Sequence, residues 1–239
     1  MQIDPAPARR LFPRMRFCLV IFLLAIPART AVADVPVALA SALKAFRADA
    51  PRGWSYTQTT SALGKSTVEH SDAAKPEFGR WSLLQKDDRP PTVDETREYF
   101  EARSRRSRGG TAPKLVEQLD LTSVEQTGDD AGRITFRCRL KSGEGGDRTA
   151  NFLRATLVVH QPTATLELIE LHSIEPFRPA FGVTIREMQT RMIYSLPAGD
   201  TPSLPQRVET RVRGTAFWFK SLDADMTVIF SDYTRTAKR

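Results

Sequence analysis

Three histidines, two cysteines and one Gly-Lys-Ser tripeptide are the residues here whose types could bind a metal, attack a carbonyl or cradle a phosphate. Their spacing supports none of these chemistries. His70, His160 and His172 fall in no H-x-x-x-H or H-E-x-x-H pattern, and Cys138 has no cysteine or histidine at zinc-site spacing. The histidines read as structural or surface residues, and no metal or cofactor is expected. Gly64-Lys65-Ser66 resembles the end of a phosphate-binding loop. The position of that loop's first glycine is Thr59, however, and no strand-to-helix switch surrounds it. There is no G-x-S-x-G elbow and no S-x-x-K in a supporting context. Asp223 and Asp225 lack the further oxygen ligands that calcium needs and read as a polar hairpin tip. His172 with Glu170 or Glu175 is the one acid–base pair left. With no nucleophile beside it, an enzyme is not expected.

Two concentrations of residue type remain. Arg103, Arg105, Arg106 and Arg108 crowd the end of a predicted helix, where they favour its dipole. The alternative reading is a membrane-surface patch, in which each basic residue near an anionic surface contributes about 1 kcal/mol. The second concentration is RVRGTAFWFK, residues 211–220. On a strand, Phe217 and Phe219 share one face and Trp218 lies on the other, so both faces need apolar cover. One reading is simple core. The sharper one is a hydrophobic lining on one face, which Trp54, Trp81, Tyr56, Phe181, Met188 and Met192 would join. Flat rings and soft thioethers suit a variable apolar guest.

The elements that must position these residues are legible in outline. Asp34–Pro51 predicts a helix, with Leu39, Leu43 and Phe46 at helical spacing. Strands follow at Trp54–Thr60, Lys65–Ser71 and Phe78–Lys86. Thr92–Arg108 predicts a capped surface helix. Thr92 and Glu95 form a capping box, and Val93, Thr96 and Phe100 form a thin apolar stripe. Pro113 starts a short helical turn through Leu119. From about residue 120 the chain reads as strands. Arg133–Leu140 alternates strictly, and Phe152–His160, Thr163–Ile174, Val183–Leu196, Gln206–Lys220 and Met226–Tyr233 follow, with Leu222–Asp225 as a hairpin loop. Strand after strand without intervening helices means an antiparallel meander. The expected class is α+β, one large curved antiparallel sheet with a few helices on its concave side.

The first 33 residues read as a cleaved signal peptide. Arg9, Arg10, Arg14 and Arg16 precede the apolar run FCLVIFLLAI, and Ala31-Val32-Ala33 is a small-x-small cleavage site. Met15 is an alternative start. The apolar run is shorter than the roughly 20 residues that cross a bilayer. Removing residues 1–33 takes five Arg and one Asp from the chain's net charge of +7 and leaves +3. That balance does not point to nucleic acid. Cys138 is then the only cysteine, so no internal disulfide forms, and the fold relies on its core. Residues 34–239 are expected to form one periplasmic, monomeric domain.

The order of signal peptide, helix, WSYTQTT (54–60), GKSTVEH (64–70) and FGRWSLL (78–84), then a helical insertion and a strand meander, resembles the LolA/LolB family of periplasmic lipoprotein carriers. The resemblance implies an incomplete antiparallel barrel with helices over a hydrophobic concave side, and a non-enzymatic carrier of lipid or lipoprotein acyl chains. The segments RVRGTAFWFKSLDADMTVIFSDY and FRPAFGV are similar to those of bacterial secreted proteins whose function is unassigned. A cell-envelope module that binds a protein partner through the same apolar face is the alternative. Detergent-dependent oligomerisation would favour the lipid reading and a fixed dimer the partner.

Overall fold

The computed structural model describes residues 35–106, 115–142, 149–217 and 219–236. The signal peptide, the Gly143–Gly146 loop, Arg108, Pro113 and Trp218 lie outside them. Helix α1 (Val37–Ala45) forms because Leu39, Ala42 and Leu43 recur at i, i+3 and i+4, and all three are buried. Pro36 stands just before the helix, and the Phe46 N–H closes it by donating to the Ala42 carbonyl. Three strands follow: β1 (Trp54–Ala62), β2 (Lys65–Ser71) and β3 (Trp81–Lys86). The third begins later than its sequence predicts. Glu77–Gly79 is a 3-10 turn, and Phe78 on it is exposed.

Helix α2 (Val93–Arg106) carries the predicted capping box. Glu95 N–H donates to Thr92 Oγ1 at 3.2 Å, and Thr92 N–H donates to Glu95 Oε2 at 2.9 Å. Its thin apolar stripe, however, does not face the sheet. Val93 and Phe100 are exposed, and the half-buried side holds Glu95, Tyr99 and Arg103 at four-residue spacing. After the single turn α3 (Leu115–Gln118) come β4 (Leu119–Asp130), β5 (Arg133–Leu140), β6 (Leu153–His160), β7 (Thr165–Ser173) and the short β8 (Phe177–Ala180). The chain ends with β9 (Val183–Tyr194), β10 (Pro205–Ala216), the two-residue β11 (Lys220–Ser221) and β12 (Ala224–Arg235).

These strands form a 12-stranded antiparallel sheet of order β3-β2-β1-β12-β10-β9-β7-β6-β5-β4, with β8 on β9 and β11 on β10. The last long strand pairs with the first, and this joins the amino-terminal hairpins to the rest. Strands β3 and β4 are left as edges, so the sheet does not close into a barrel. Register shifts interrupt β1–β12, β9–β10, β2–β3, β4–β5 and β6–β7. Bulges of this kind bend and twist a sheet of this width rather than leave it flat.

The alternation in β5 holds: Ile134, Phe136 and Cys138 are buried, while Arg133, Arg137 and Arg139 are exposed. With Leu157, Ile169 and Leu119 they pack against Leu39, Ala42 and Leu43 of α1. Burial pushes the Cys138 thiol up to about 11, with Asp120 adding to the effect. A smaller cluster of Leu153, Phe177 and Ile185 lies beside it, where the Phe152 and Phe177 rings stack at 5.4 Å.

The strand expected over Gln206–Lys220 stops at Ala216. Ala216 faces Val183, the first residue of β9, so β10 runs out of partner there. The Phe217 N–H instead donates to the Gly182 carbonyl at 2.7 Å, with φ of +48° at Phe217. The chain reverses, and Lys220 and Ser221 return against Ala216 and Thr215. Phe217 and Phe219 therefore belong to a turn and do not share a strand face. The predicted Leu222–Asp225 loop is correspondingly shorter, because β12 already begins at Ala224.

Candidate functional site

Residues directly opposite in an antiparallel pair share a face. One such row crosses the sheet as Ile169, Met192, Val208, Val228, Thr60 and Thr67. The next row runs Leu171, Thr190, Thr210, Met226 and Ala62, and beyond it Met188 faces Val212. Helix α1 covers the Ile169 end of this face. At the far end α2 stands over β1 to β3. Between them Met188, Met192, Val208, Val212 and Met226 are only half-buried.

A cleft of about 540 Å³ lies between α2 and the sheet. Leu83, Thr60, Met226 and Val228 form part of its floor, and Tyr99 and Arg103 part of its roof. Polar contacts hold the roof. Arg103 Nη1 donates to Glu69 Oε1 at 3.3 Å, and Gln58 Nε2 donates to Glu69 Oε2 at 3.2 Å. The Arg103 guanidinium also lies 3.7 Å from the centre of the Trp81 ring, a cation–π contact. At the other end of α2, Glu95 accepts two hydrogen bonds from Arg89, at 2.8 and 2.9 Å, and lies 3.1 Å from Lys86 Nζ. The Arg89 guanidinium, then the Thr92 N–H and Lys86, hold the Glu95 carboxyl well below the usual carboxylate range.

An aromatic group flanks the cleft. The Tyr56 ring is 5.6 Å from Trp81, 5.9 Å from Phe230 and 5.5 Å from Tyr233, and Trp54 stands 6.5 Å from Tyr233. Tyr233 Oη donates to the Pro205 carbonyl at 2.6 Å. Burial, then Asp49, pushes the Tyr56 phenol up, and the same two causes push Tyr194 up to about 12. These phenols stay neutral at any physiological pH, so the face offers rings and hydroxyls but no phenolate. What this arrangement can do is bind: a strip of thioethers and branched alkyl groups opens into a cleft under a helix whose roofing contacts are polar.

No family model matches the chain, and no curated protein matches it. The chain is similar to a solved structure, a LolA superfamily protein from Nitrosomonas europaea. The two share 12% sequence identity over 86% of this chain and 94% of that one, with a TM-score of 0.35.

The structure divides the residues singled out in the sequence. Met188, Met192 and Trp81 lie on the helix-bearing face, and Trp54 joins its aromatic group. Phe181, Phe217 and Phe219 stand apart from that face, exposed at turn tips, and Trp218 lies outside the described residues. Arg103 is engaged with Glu69 and Trp81, which takes it out of an open cationic patch. Arg105 Nε donates to the Glu101 carbonyl. The side chain of Arg106, like the whole of Arg108, lies outside the described residues. His172 Nδ1 is 3.7 Å from Glu170 Oε1, but Glu170 also takes a hydrogen bond from Gln189 and an ion pair from Arg191. The pair belongs to a network of ions on the opposite face of the sheet. Val208, Val212 and Met226 were not singled out in the sequence. The signal for Met226 was there, since Met226, Val228 and Phe230 alternate along β12.

Proposed function

We propose that the helix-bearing face binds one apolar ligand, an acyl chain of a lipid or a lipoprotein, and performs no chemistry on it. One observation carries this: the half-buried strip of Met192, Val208 and, one row over, Met226 adjoins a dry core at the Met192 end and the cleft at the Met226 end. Apolar side chains left half-buried between two helices gain about 25 cal/mol for each Å² that a guest removes from water. Methionine adapts to guests of different shape. The leader-like residues 1–33 support export to the periplasm, where such a binder would meet acyl ligands. Trp81, Met188 and Met192 belong to the proposed lining, together with Val208, Val212 and Met226.

The test is uptake of a fluorescent fatty acid, joined to native mass spectrometry of protein purified without detergent. Wild type is expected to retain or take up one acyl chain, and Met226→Glu to lose it while still folding. Phe100→Ser, on the outer side of α2, is expected to bind normally. A folded wild-type protein that takes up no acyl probe would sink the proposal.

A further inference from the structure

Two turns meet at one corner of the sheet, and both expose aromatic rings. The β8–β9 turn carries Phe181, which is 90% exposed. The β10–β11 turn carries Phe217, 52% exposed, and Phe219, 87% exposed. Isolated exposed apolar residues are ordinary, but rings grouped on adjoining turn tips form a patch that calls for an occupant.

The corner is firmly built. The Phe217 N–H bonds the Gly182 carbonyl across the two turns, and a Cβ at Gly182, where φ is +74°, would lie 3.0 Å from two Phe217 ring carbons. Gly182 thus gives the ring its seat. Phe217 itself holds φ of +48°, a region that bulky residues avoid. At the base, Gly214 N–H donates to Asp223 Oδ1 at 3.0 Å and Leu222 N–H donates to the Gly214 carbonyl at 3.0 Å. A Cβ at Gly214 would come within 2.6 Å of the Thr184 carbonyl, so β9 and β10 approach each other there as only glycine permits.

The two segments that carry the rings hold cations alone. Across residues 176–185 and 214–222 the only charged side chains are Arg178 and Lys220, both exposed. Three acids border these segments, Glu175, Glu187 and Asp223, and Asp223 is engaged at the base with Gly214 and with Arg186 at 3.6 Å. Convex tips that combine aromatic rings with flanking cations match the interface of a bilayer, where rings sit at headgroup level and basic side chains meet anionic phosphates.

We propose that this aromatic corner docks the protein on the surface of an anionic lipid bilayer, with Phe181 and Phe219 entering the interface and Arg178 and Lys220 facing the phosphates. The docking is independent of whether the helix-bearing face takes up an acyl chain.

The test is flotation of residues 32–239, a compact unit that holds the whole described core, with phosphatidylcholine vesicles prepared with and without phosphatidylglycerol. Wild type is expected to float with the phosphatidylglycerol vesicles and to be released by salt. The double variant Phe181→Ser/Phe219→Ser is expected to bind at least about tenfold more weakly, as befits two phenyl groups no longer leaving water. Its thermal midpoint should not move, because both rings are already in solvent. Arg178→Glu/Lys220→Glu should lose the preference for anionic vesicles. The proposal is overturned if wild type stays with the unbound fraction, if the double-serine variant floats equally well, or if binding ignores phosphatidylglycerol. It is also overturned if the corner instead holds a second copy of the chain, seen as a dimer that the double-serine variant dissociates. Acyl-probe uptake by that variant should match wild type, which separates this proposal from the previous one.

Discussion

Helices α1 and α2 lie on the same face of one sheet and are held by opposite means. Under α1 the contacts are dry: Leu39, Ala42 and Leu43 against Phe136, Leu157 and Ile169, with a buried thiol among them. Under α2 they are polar: Glu95 held by Arg89 and Lys86, and Arg103 held by Glu69 and Trp81. Apolar burial is non-directional and is lost only when the packing opens. An ion pair near solvent contributes little, and water competes for both partners. One helix is therefore part of the core, and the other is expected to open ahead of global unfolding, which amide exchange in the two helices tests. A cleft lies under the second, whereas Phe136, Leu157 and Ile169 beneath the first are fully buried.

The largest expected difference between the two regions is in stability. Phe136→Ala removes a fully buried ring from beneath α1 and should cost about 3–5 kcal/mol in urea unfolding. Phe100→Ala on the outer side of α2 should stay within about 0.5 kcal/mol. Similar losses at the two positions would break the comparison.

A smaller effect is expected at the roof. Arg103→Ala leaves the nearly buried Glu69 carboxylate without its cation, at about 1–3 kcal/mol. Amide exchange should quicken in α2 and not in α1, and acyl-probe association should speed up. If exchange rises equally in both helices, α2 is no separate cover.

The smallest effect is a pH dependence. The folded-state pKa of Glu95 lies below its unfolded value, so its stabilisation is fully present above the ordinary carboxylate pKa of about 4.3. It is lost as pH falls through the folded value. Amide protection of α2 should thus survive to unusually acid pH and then fail before that of α1. In Glu95→Gln that acid step should vanish. An unchanged acid profile in the variant would assign the step to another carboxylate.

Much of the fold was legible because its signals are local. The capping box of α2 needs only Thr92 and Glu95 three residues apart, and β5 needs only its own alternation. The edges and the turn at Phe217 were not legible in the same way. Three aromatics in a row look like strand whatever their partner does, and the strand ended because β9 begins at Val183, across the sheet. The orientation of α2 misled for a related reason. Its outward Val93 and Phe100 outweigh its inward Glu95, Tyr99 and Arg103 in hydrophobicity, but the polar side finds specific partners on β2 and around β3. The site was half legible: Met188, Met192 and Trp81 stood out by type, whereas Val208, Val212 and Met226 gained meaning only from their neighbours.

The sequence by itself determined the antiparallel strands, the two helices and the absence of a recognisable catalytic or metal-binding motif, since each follows from residue types at short spacing. The tertiary structure alone decided that β12 lies against β1, that the sheet stays open at β3 and β4, and that the aromatic run becomes an exposed corner. These depend on hydrogen-bond partners far apart in the chain. Which face a side chain joins is fixed by register, and register is a property of the pair of strands.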